Sequence, residues 1–280
     1  MRPKRLLLGL LIAVAAIGAA TASAAGTKSS VDVPGAGFAE TRTDCPKGTA
    51  LVSQGFGTKS FSTDGSGSTV VRIDSHRSGS GLESRAVNFN TVPGVFTAYA
   101  YCSRQGREID VVRERVFVPP GSAGVAKATC PRGSVPVAGG FASPGFTEGG
   151  MLTIVLTSRR QGRSWRVEGI NEGGSSRGGI LTSSLVAYAY CLADAPKVTI
   201  RKKRKPVGGE LKAIVATCPK GRKAIGGGFD GNIELLGTAR AGGAVISRRA
   251  KRGRAWKIRA VSVSELPDAT ATAYAYCLKS

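Results

Sequence analysis

The 280 residues carry 40 Lys and Arg against 18 Asp and Glu, a net charge of +22, with 39 Gly, six Cys and a single His. One histidine and no C-x-x-C pair argue against a zinc site, and no metal or cofactor is implied. Abundant glycine, few aromatics and scarce helix signals suit short strands and tight turns, so the expected fold class is all-β.

The chain opens with a targeting segment, residues 1–24. Arg2, Lys4 and Arg5 form a basic head, residues 6–20 are apolar, and Ala22-Ser23-Ala24 supplies a small-x-small cleavage pattern. The apolar run is shorter than the ~20 residues that a membrane span requires. The mature chain is therefore expected to have no integral span, to be secreted or extracellular, and to work at the cell envelope. Loss of three basic residues leaves it at +19. The N-terminal segment 25–44 contains Val31-Asp32-Val33-Pro34, which resembles Val116-Phe117-Val118-Pro119 further on and reads as a strand entering the region that begins at Cys45.

From Cys45 onward two phrases recur three times. Cys45-Pro46-Lys47-Gly48, Cys130-Pro131-Arg132-Gly133 and Cys218-Pro219-Lys220-Gly221 open three units. Ala98-Tyr99-Ala100-Tyr101-Cys102, Ala187-Tyr188-Ala189-Tyr190-Cys191 and Ala273-Tyr274-Ala275-Tyr276-Cys277 close them. The units are 45–102, 130–191 and 218–277, joined by connections 103–129 and 192–217 and expected to form one compact domain. About four strands per unit are predicted. A first strand (51–56, 135–141, 224–229) ends in Gly and Phe, and Gly139-Gly140 and Gly227-Gly228 suggest a bulge or a close backbone approach. After a variable loop, a second strand (70–74, 152–157, 244–247) leads to a basic turn. There Ser75-His76-Arg77, Ser158-Arg159-Arg160 and Ser247-Arg248-Arg249 match. A third strand begins at Ser84, Trp165 or Trp256, with the tryptophans on its apolar face. In the final strand, alternation puts the alanines and cysteine on one face and both tyrosines on the other, as packing residues. Each connection is expected to hold a strand pair, 109–118 with 124–129 and 198–207 with 211–217.

An exported protein with six cysteines reads as three disulfides. Two pairings respect the threefold pattern. One is Cys45–Cys102, Cys130–Cys191 and Cys218–Cys277, which makes every unit self-contained and is favoured for that reason. The other links each unit to the next, as Cys102–Cys130 and Cys191–Cys218, with Cys45–Cys277 closing a ring.

The unit Cys-Pro-x-Gly, Gly-Gly-Phe, Ala-Tyr-Ala-Tyr-Cys resembles repeats of secreted proteins from high-GC bacteria. That likeness covers nearly the whole mature chain and implies no activity. The threefold, four-stranded organisation is similar to the β-prism of the vitelline membrane outer layer protein. It implies a pseudo-threefold β-prism-like or otherwise closed β arrangement and, as one role, saccharide binding. No sugar site carries over residue by residue.

Charge gathers near the C-terminus, where residues 192–280 hold +13 of the mature +19. Two clusters dominate: Arg201, Lys202, Lys203, Arg204 and Lys205, then Arg248, Arg249, Lys251, Arg252 and Arg254. Such clusters concentrate polyanions and make binding salt-dependent. The expected partners are anionic cell-wall or extracellular polymers (teichoic acid, acidic polysaccharide, lipid headgroups), with non-specific nucleic acid as a further one. The competing explanation is an edge strand kept from aggregating by its lysines. A lectin-like module using loops 57–68, 142–150 and 230–242 is the alternative, and a secreted hydrolase is a third.

No catalysis is expected. His76 stands where the other two units place arginine, Arg159 and Arg248, so it is expected to belong to a basic turn. No G-x-S-x-G elbow exists, and Asp64, Glu83, Glu168, Glu172, Asp230, Glu234, Glu265 and Asp268 form no carboxylate pair that recurs across the units. Asp230-Gly231-Asn232 lacks the remaining ligands of a calcium loop.

Overall fold

The computed structural model describes residues 25–62, 66–104, 109–144, 152–171, 183–193, 197–231, 235–236, 239–240, 244–262 and 269–279. Residues 1–24, expected from the sequence to be a targeting segment, lie outside them. Every regular element among the described residues is a strand. The first stretch contributes β1 (Ala25–Val33), β2 (Phe38–Thr43), β3 (Thr49–Lys59), β4 (Val70–Ser78), β5 (Gly81–Asn88) and β6 (Gly94–Arg104). The second contributes β7 (Ile109–Val118), β8 (Ala123–Thr129), β9 (Ser134–Ala142), β10 (Thr153–Gln161), β11 (Ser164–Asn171) and β12 (Ser183–Ala193). The third contributes β13 (Thr199–Pro206), β14 (Lys212–Thr217), β15 (Arg222–Asp230), β16 (Leu235–Leu236), β17 (Ala239–Arg240), β18 (Ala244–Arg252), β19 (Ala255–Ser262) and β20 (Thr270–Lys279).

Apart from the β16–β17 ribbon, the strands form three six-stranded sheets, ordered β1-β6-β3-β18-β19-β14, β13-β20-β15-β10-β11-β8 and β2-β5-β4-β9-β12-β7. All their ladders are antiparallel. Each sheet joins two strands of one sequence unit, extended by a strand from the segment before it, to two strands of another unit extended in the same way, and the joint is short. Thr157 and Ser158 pair with Asp230 and Phe229; Asp74 and Ser75 pair with Ala142 and Phe141; Arg248 and Arg249 pair with Gly57 and Phe56.

Beyond each short ladder a tyrosine takes over. The hydroxyl of Tyr190 accepts the backbone N–H of Arg77, that of Tyr276 accepts Arg160, and that of Tyr101 accepts Lys251, each at 2.7 Å. In every case the donor lies two residues past the last ladder pair. The second tyrosine of each Ala-Tyr-Ala-Tyr-Cys phrase thus satisfies a backbone donor that the diverging strands would otherwise bury unpaired. Tyr190 and Tyr276 are fully buried.

The connections differ from expectation. Their two strands exist but do not pair with each other: β7 joins β12 while β8 joins β11, and β13 joins β20 while β14 joins β19. β1 and β2 likewise part into different sheets. Each segment turns a corner between sheets, so its two strands sit side by side without sharing a ladder.

The predicted basic turn is also corrected. Ser75-His76-Arg77 and Ser158-Arg159-Arg160 lie inside β4 and β10, and the reversals come at Gly79, Gly162 and Gly253, with φ of 58°, 60° and 55°. The matched Ser247-Arg248-Arg249 is out of step by two residues. Arg249 faces Phe56 where Ser75 faces Phe141 and Ser158 faces Phe229. His76, Arg159 and Ala250 are therefore the equivalent positions. Similarity of residue type had favoured the wrong alignment, because arginines stand on both sides of the true one.

The first strands do bulge, but ahead of the glycine pairs, between Leu51 and Ser53, Pro136 and Ala138, and Ala224 and Gly226. The glycines serve close approach. A Cβ on Gly139 would stand 2.4 Å from the Trp165 ring, and one on Gly227 would stand 2.2 Å from Trp256. Both tryptophans are fully buried, as their alternation predicted. Where the first unit lacks the tryptophan, Gln54 replaces the glycine. Its amide donates to the carbonyls of Ser75 and Gly139, both at 2.9 Å, and its carbonyl takes the Ser75 hydroxyl, which in turn bonds Ser84 at 3.0 Å. A large apolar side chain over glycine is exchanged for a small one beside a satisfied amide.

Phe56, Phe141, Phe229 and the strand alanines complete a core drawn from all three units. The disulfides are Cys45–Cys102, Cys130–Cys191 and Cys218–Cys277. Each closes a unit on itself, which resolves the two pairings in favour of the self-contained one.

Candidate anion-binding surface

The two basic clusters occupy different places. Arg201 to Lys205 run along β13, the outermost strand of its sheet, and all but Lys205 are exposed. Arg248, Arg249, Lys251 and Arg252 lie on β18, in the middle of another sheet, with β19 and β14 on one side and β3 on the other. Arg254 is exposed in the turn after β18. Lys251 is half-buried, and burial together with the charge of Lys223 lowers its pKa. The clusters lie on different sheets. The side chains at 247–250 and 252 lie outside the described residues, whereas those of Arg201 to Lys205 are described.

β13 has two internal controls. β7 and β1 hold the same place, as outermost strands paired with the tyrosine strands β12 and β6. β7 carries Asp110, Arg113, Glu114 and Arg115, and β1 carries Lys28 and Asp32, so each has no net charge. β13 carries five cations and no acid. No ion pair with a described carboxylate involves any of the five.

Beside β13 lies a cleft of about 410 Å³ lined by Lys202, Lys203, Arg204, Asp230, Thr270, Thr272 and Tyr274. Cross-strand register sets Lys202 opposite Tyr274 and Arg204 opposite Thr272. The Arg204 Nε donates to the Thr270 hydroxyl at 3.1 Å. Asp230 accepts from Arg159 Nε at 3.0 Å and from the Thr157 hydroxyl at 3.2 Å. The Arg159 guanidinium stands 5.6 Å from the Tyr274 ring centroid. Burial foremost, with the Asp230 charge, raises the Tyr274 pKa, so its phenol stays protonated.

A second cleft, of about 300 Å³, opens over β2, β5 and β4 and is lined by Glu40, Thr41, Arg42, Asp74, His76, Glu83, Ser84 and Arg85. His76 Nδ1 meets Asp74 at 2.7 Å, its Nε2 lies 3.8 Å from Glu83, and its ring stacks on Tyr188 at 4.8 Å. Burial works to lower the imidazole pKa, but the hydrogen bond and charge of Asp74 and the charge of Glu83 outweigh it, so the net direction is up. Cations face the acids on this wall: Arg42 pairs with Asp44 and Glu83, and Arg85 pairs with Glu40.

Of the acids weighed for a hydrolase, the described ones are tied to cations. Glu83 pairs with Arg42, Glu168 with Arg166 at 2.6 Å, and Asp230 with Arg159. Asp64, Glu172, Glu234, Glu265 and Asp268 lie outside the described residues, as does most of loops 142–150 and 230–242 and part of loop 57–68. Among the described residues no cluster of three or more His, Cys, Asp or Glu could hold a metal ion, and no helix is long and apolar enough to cross a membrane.

The grouping of Asp230, Thr270, Thr272 and Tyr274 beside β13 was not read from the sequence. A signal was present: Asp230 follows Phe229 where Gly57 and Ala142 follow the equivalent phenylalanines, and Thr272 stands where Val186 does. No protein-family model matches the chain, and no curated protein matches it.

Proposed function

We propose that this is a secreted, non-catalytic binding or structural protein that contacts anionic polymers of the cell envelope or extracellular space through β13. The observation that carries the reading is the contrast among three equivalent outer strands, two of them neutral and one bearing five cations. Protection of an edge does not call for that charge, since β1 and β7 occupy the same position without it. Cations spaced along a strand suit a repeating anion, and counterion release would supply the affinity. Three disulfides accord with an oxidising compartment.

The architecture proposed for this role is a pseudo-threefold β-prism of units 45–102, 130–191 and 218–277, akin to the secreted repeats of high-GC bacteria. The matching strand orders, the three tyrosine locks and the three equivalent disulfides support it.

Replacing Arg201, Lys202, Lys203, Arg204 and Lys205 together by glutamine tests the function. Elution from heparin should move to markedly lower salt, and the slope of log affinity against log salt should become shallower by about 0.7–0.9 for each anionic group no longer neutralised. An unchanged elution position would remove β13 from the binding surface.

A further inference from the structure

We infer that the cleft beside β13 is a subsite for one ring of an anionic glycan, so that the preferred polymer is a sugar chain bearing sulfate or carboxylate groups. This rests on the polyanion reading of β13 and narrows it.

The cleft is more than a basic wall. Tyr274 offers an aromatic ring, Thr270 and Thr272 offer hydroxyls, and Asp230 offers a carboxylate, with Lys202, Lys203 and Arg204 at the rim. A surface built only to attract negative charge gains nothing from a carboxylate at its floor. Asp230 already accepts from Arg159 Nε and the Thr157 hydroxyl, and a carboxylate can take further hydrogen bonds but donates none, so a partner seated there gains by bringing hydroxyl donors along with its anionic groups. Sugar rings do both: their C–H faces pack on an aromatic ring, their hydroxyls donate to Asp230 and exchange bonds with the threonines, and an acidic substituent reaches the cations. Phosphodiester backbones of nucleic acid present acceptors where Asp230 lies, which disfavours them.

The copies show that folding does not require these groups. The pair Asp230 and Thr272 is Ala142 and Val186 in the second unit, and Gly57 and Thr97 in the first. Arg204 opposite Thr272 corresponds to Arg115 opposite Val186 and to Ser30 opposite Thr97. Tyrosine recurs at all three, but among the described residues ring, acid, two threonines and adjacent cations coincide only here.

The test uses Thr272→Val and Asp230→Ala, each installing the side chain that the second copy already carries. Dissociation constants are measured with the protein expressed from the full-length chain, against a heparin-derived octasaccharide, an oligogalacturonate, linear polyphosphate and an oligothymidylate. Each variant should weaken one or both glycans by about three- to tenfold while polyphosphate binding stays level or tightens. Loss with the octasaccharide marks a sulfated chain, and loss with the galacturonate a carboxylated one. An equal loss for polyphosphate and glycans, or no loss for either glycan, would overturn the subsite while leaving β13 as the polyanion surface. A loss confined to the oligothymidylate would overturn it in favour of nucleic acid. Absence of wild-type binding to every probe at low salt would remove the polyanion reading and the subsite together.

Discussion

Tyr276→Phe isolates the bond that bridges one pair of sheet halves. The side chain is fully buried, its hydroxyl accepts the Arg160 N–H at 2.7 Å, and its ring meets Trp165 edge-on at 5.6 Å. Phenylalanine keeps the ring and the packing, so the difference is the hydroxyl and the backbone donor it leaves behind. The ladder between β10 and β15 ends at Ser158, and no strand is in register to accept the Arg160 N–H in its place. Leaving a buried donor unmet costs about 1–3 kcal/mol. For a chain of this size each kcal/mol lowers Tm by about 2–4 °C, so the variant should melt about 2–12 °C below the wild type under non-reducing conditions. Hydrogen exchange gives the local readout: the Arg160 amide should lose protection while amides in the middle of β20 keep theirs. A Tm within about 1 °C of wild type, with Arg160 exchange unchanged, would refute the lock.

Three further outcomes rest on particular side chains. His76 has a raised pKa, so its stabilising charge is fully present below the unfolded value of about 6.5 and is lost as pH rises through the folded value; the Tm advantage of wild type over His76→Gln should be larger at pH ~6 than at pH ~8.5, and parallel profiles would contradict this. Arg72 is buried, with its guanidinium 4.1 Å and 3.9 Å from the ring centroids of Phe56 and Phe141, where the other copies have Val155 and Ile246. An apolar side chain therefore fits this place in the fold, so Arg72→Ile should keep the wild-type near-UV circular dichroism, and loss of that signal would count against the equivalence. Removing one disulfide by the double change Cys218→Ala and Cys277→Ala should cost about 4 kcal/mol, as expected for a loop of 59 residues, read from the denaturation midpoint; a loss below ~1 kcal/mol would show that the third unit is held without its bridge.

Much of the strand content was legible because it rests on local rules. Alternation in 256–260 places Trp256 and Ile258 inward, and both are fully buried. The repeated phrase narrowed the disulfides to two sets of partners, and the favoured, self-contained set is the one formed. The sheets were not legible in the same way. Which strand pairs with which is decided by corners, and nothing in Ile109 to Val118 announces that it will pair with β12 while the next strand leaves for another sheet. A repeat seen in sequence suggests three modules, but the short ladders at Ser75, Ser158 and Arg249 show that each unit lends half its strands to a neighbour.

The tyrosines show how far a motif can be read. Alternation assigns Tyr274 and Tyr276 to one side of their strand and gives no reason for them to differ. Register separates them. Tyr276 lies where the sheet halves diverge and its hydroxyl goes to a backbone N–H, whereas Tyr274 stays at the ladder beside Lys202 and Asp230. One tyrosine of each phrase is therefore committed to holding the units together, and the other is left at the surface, where its neighbours can vary without cost to the fold. At the first junction those neighbours are His76 and Asp74, and at the second Arg159 and Asp230. An architecture that fixes one ring and frees the next can change its outer chemistry copy by copy. The concentration of cations on β13 is then a choice made at one of three available places.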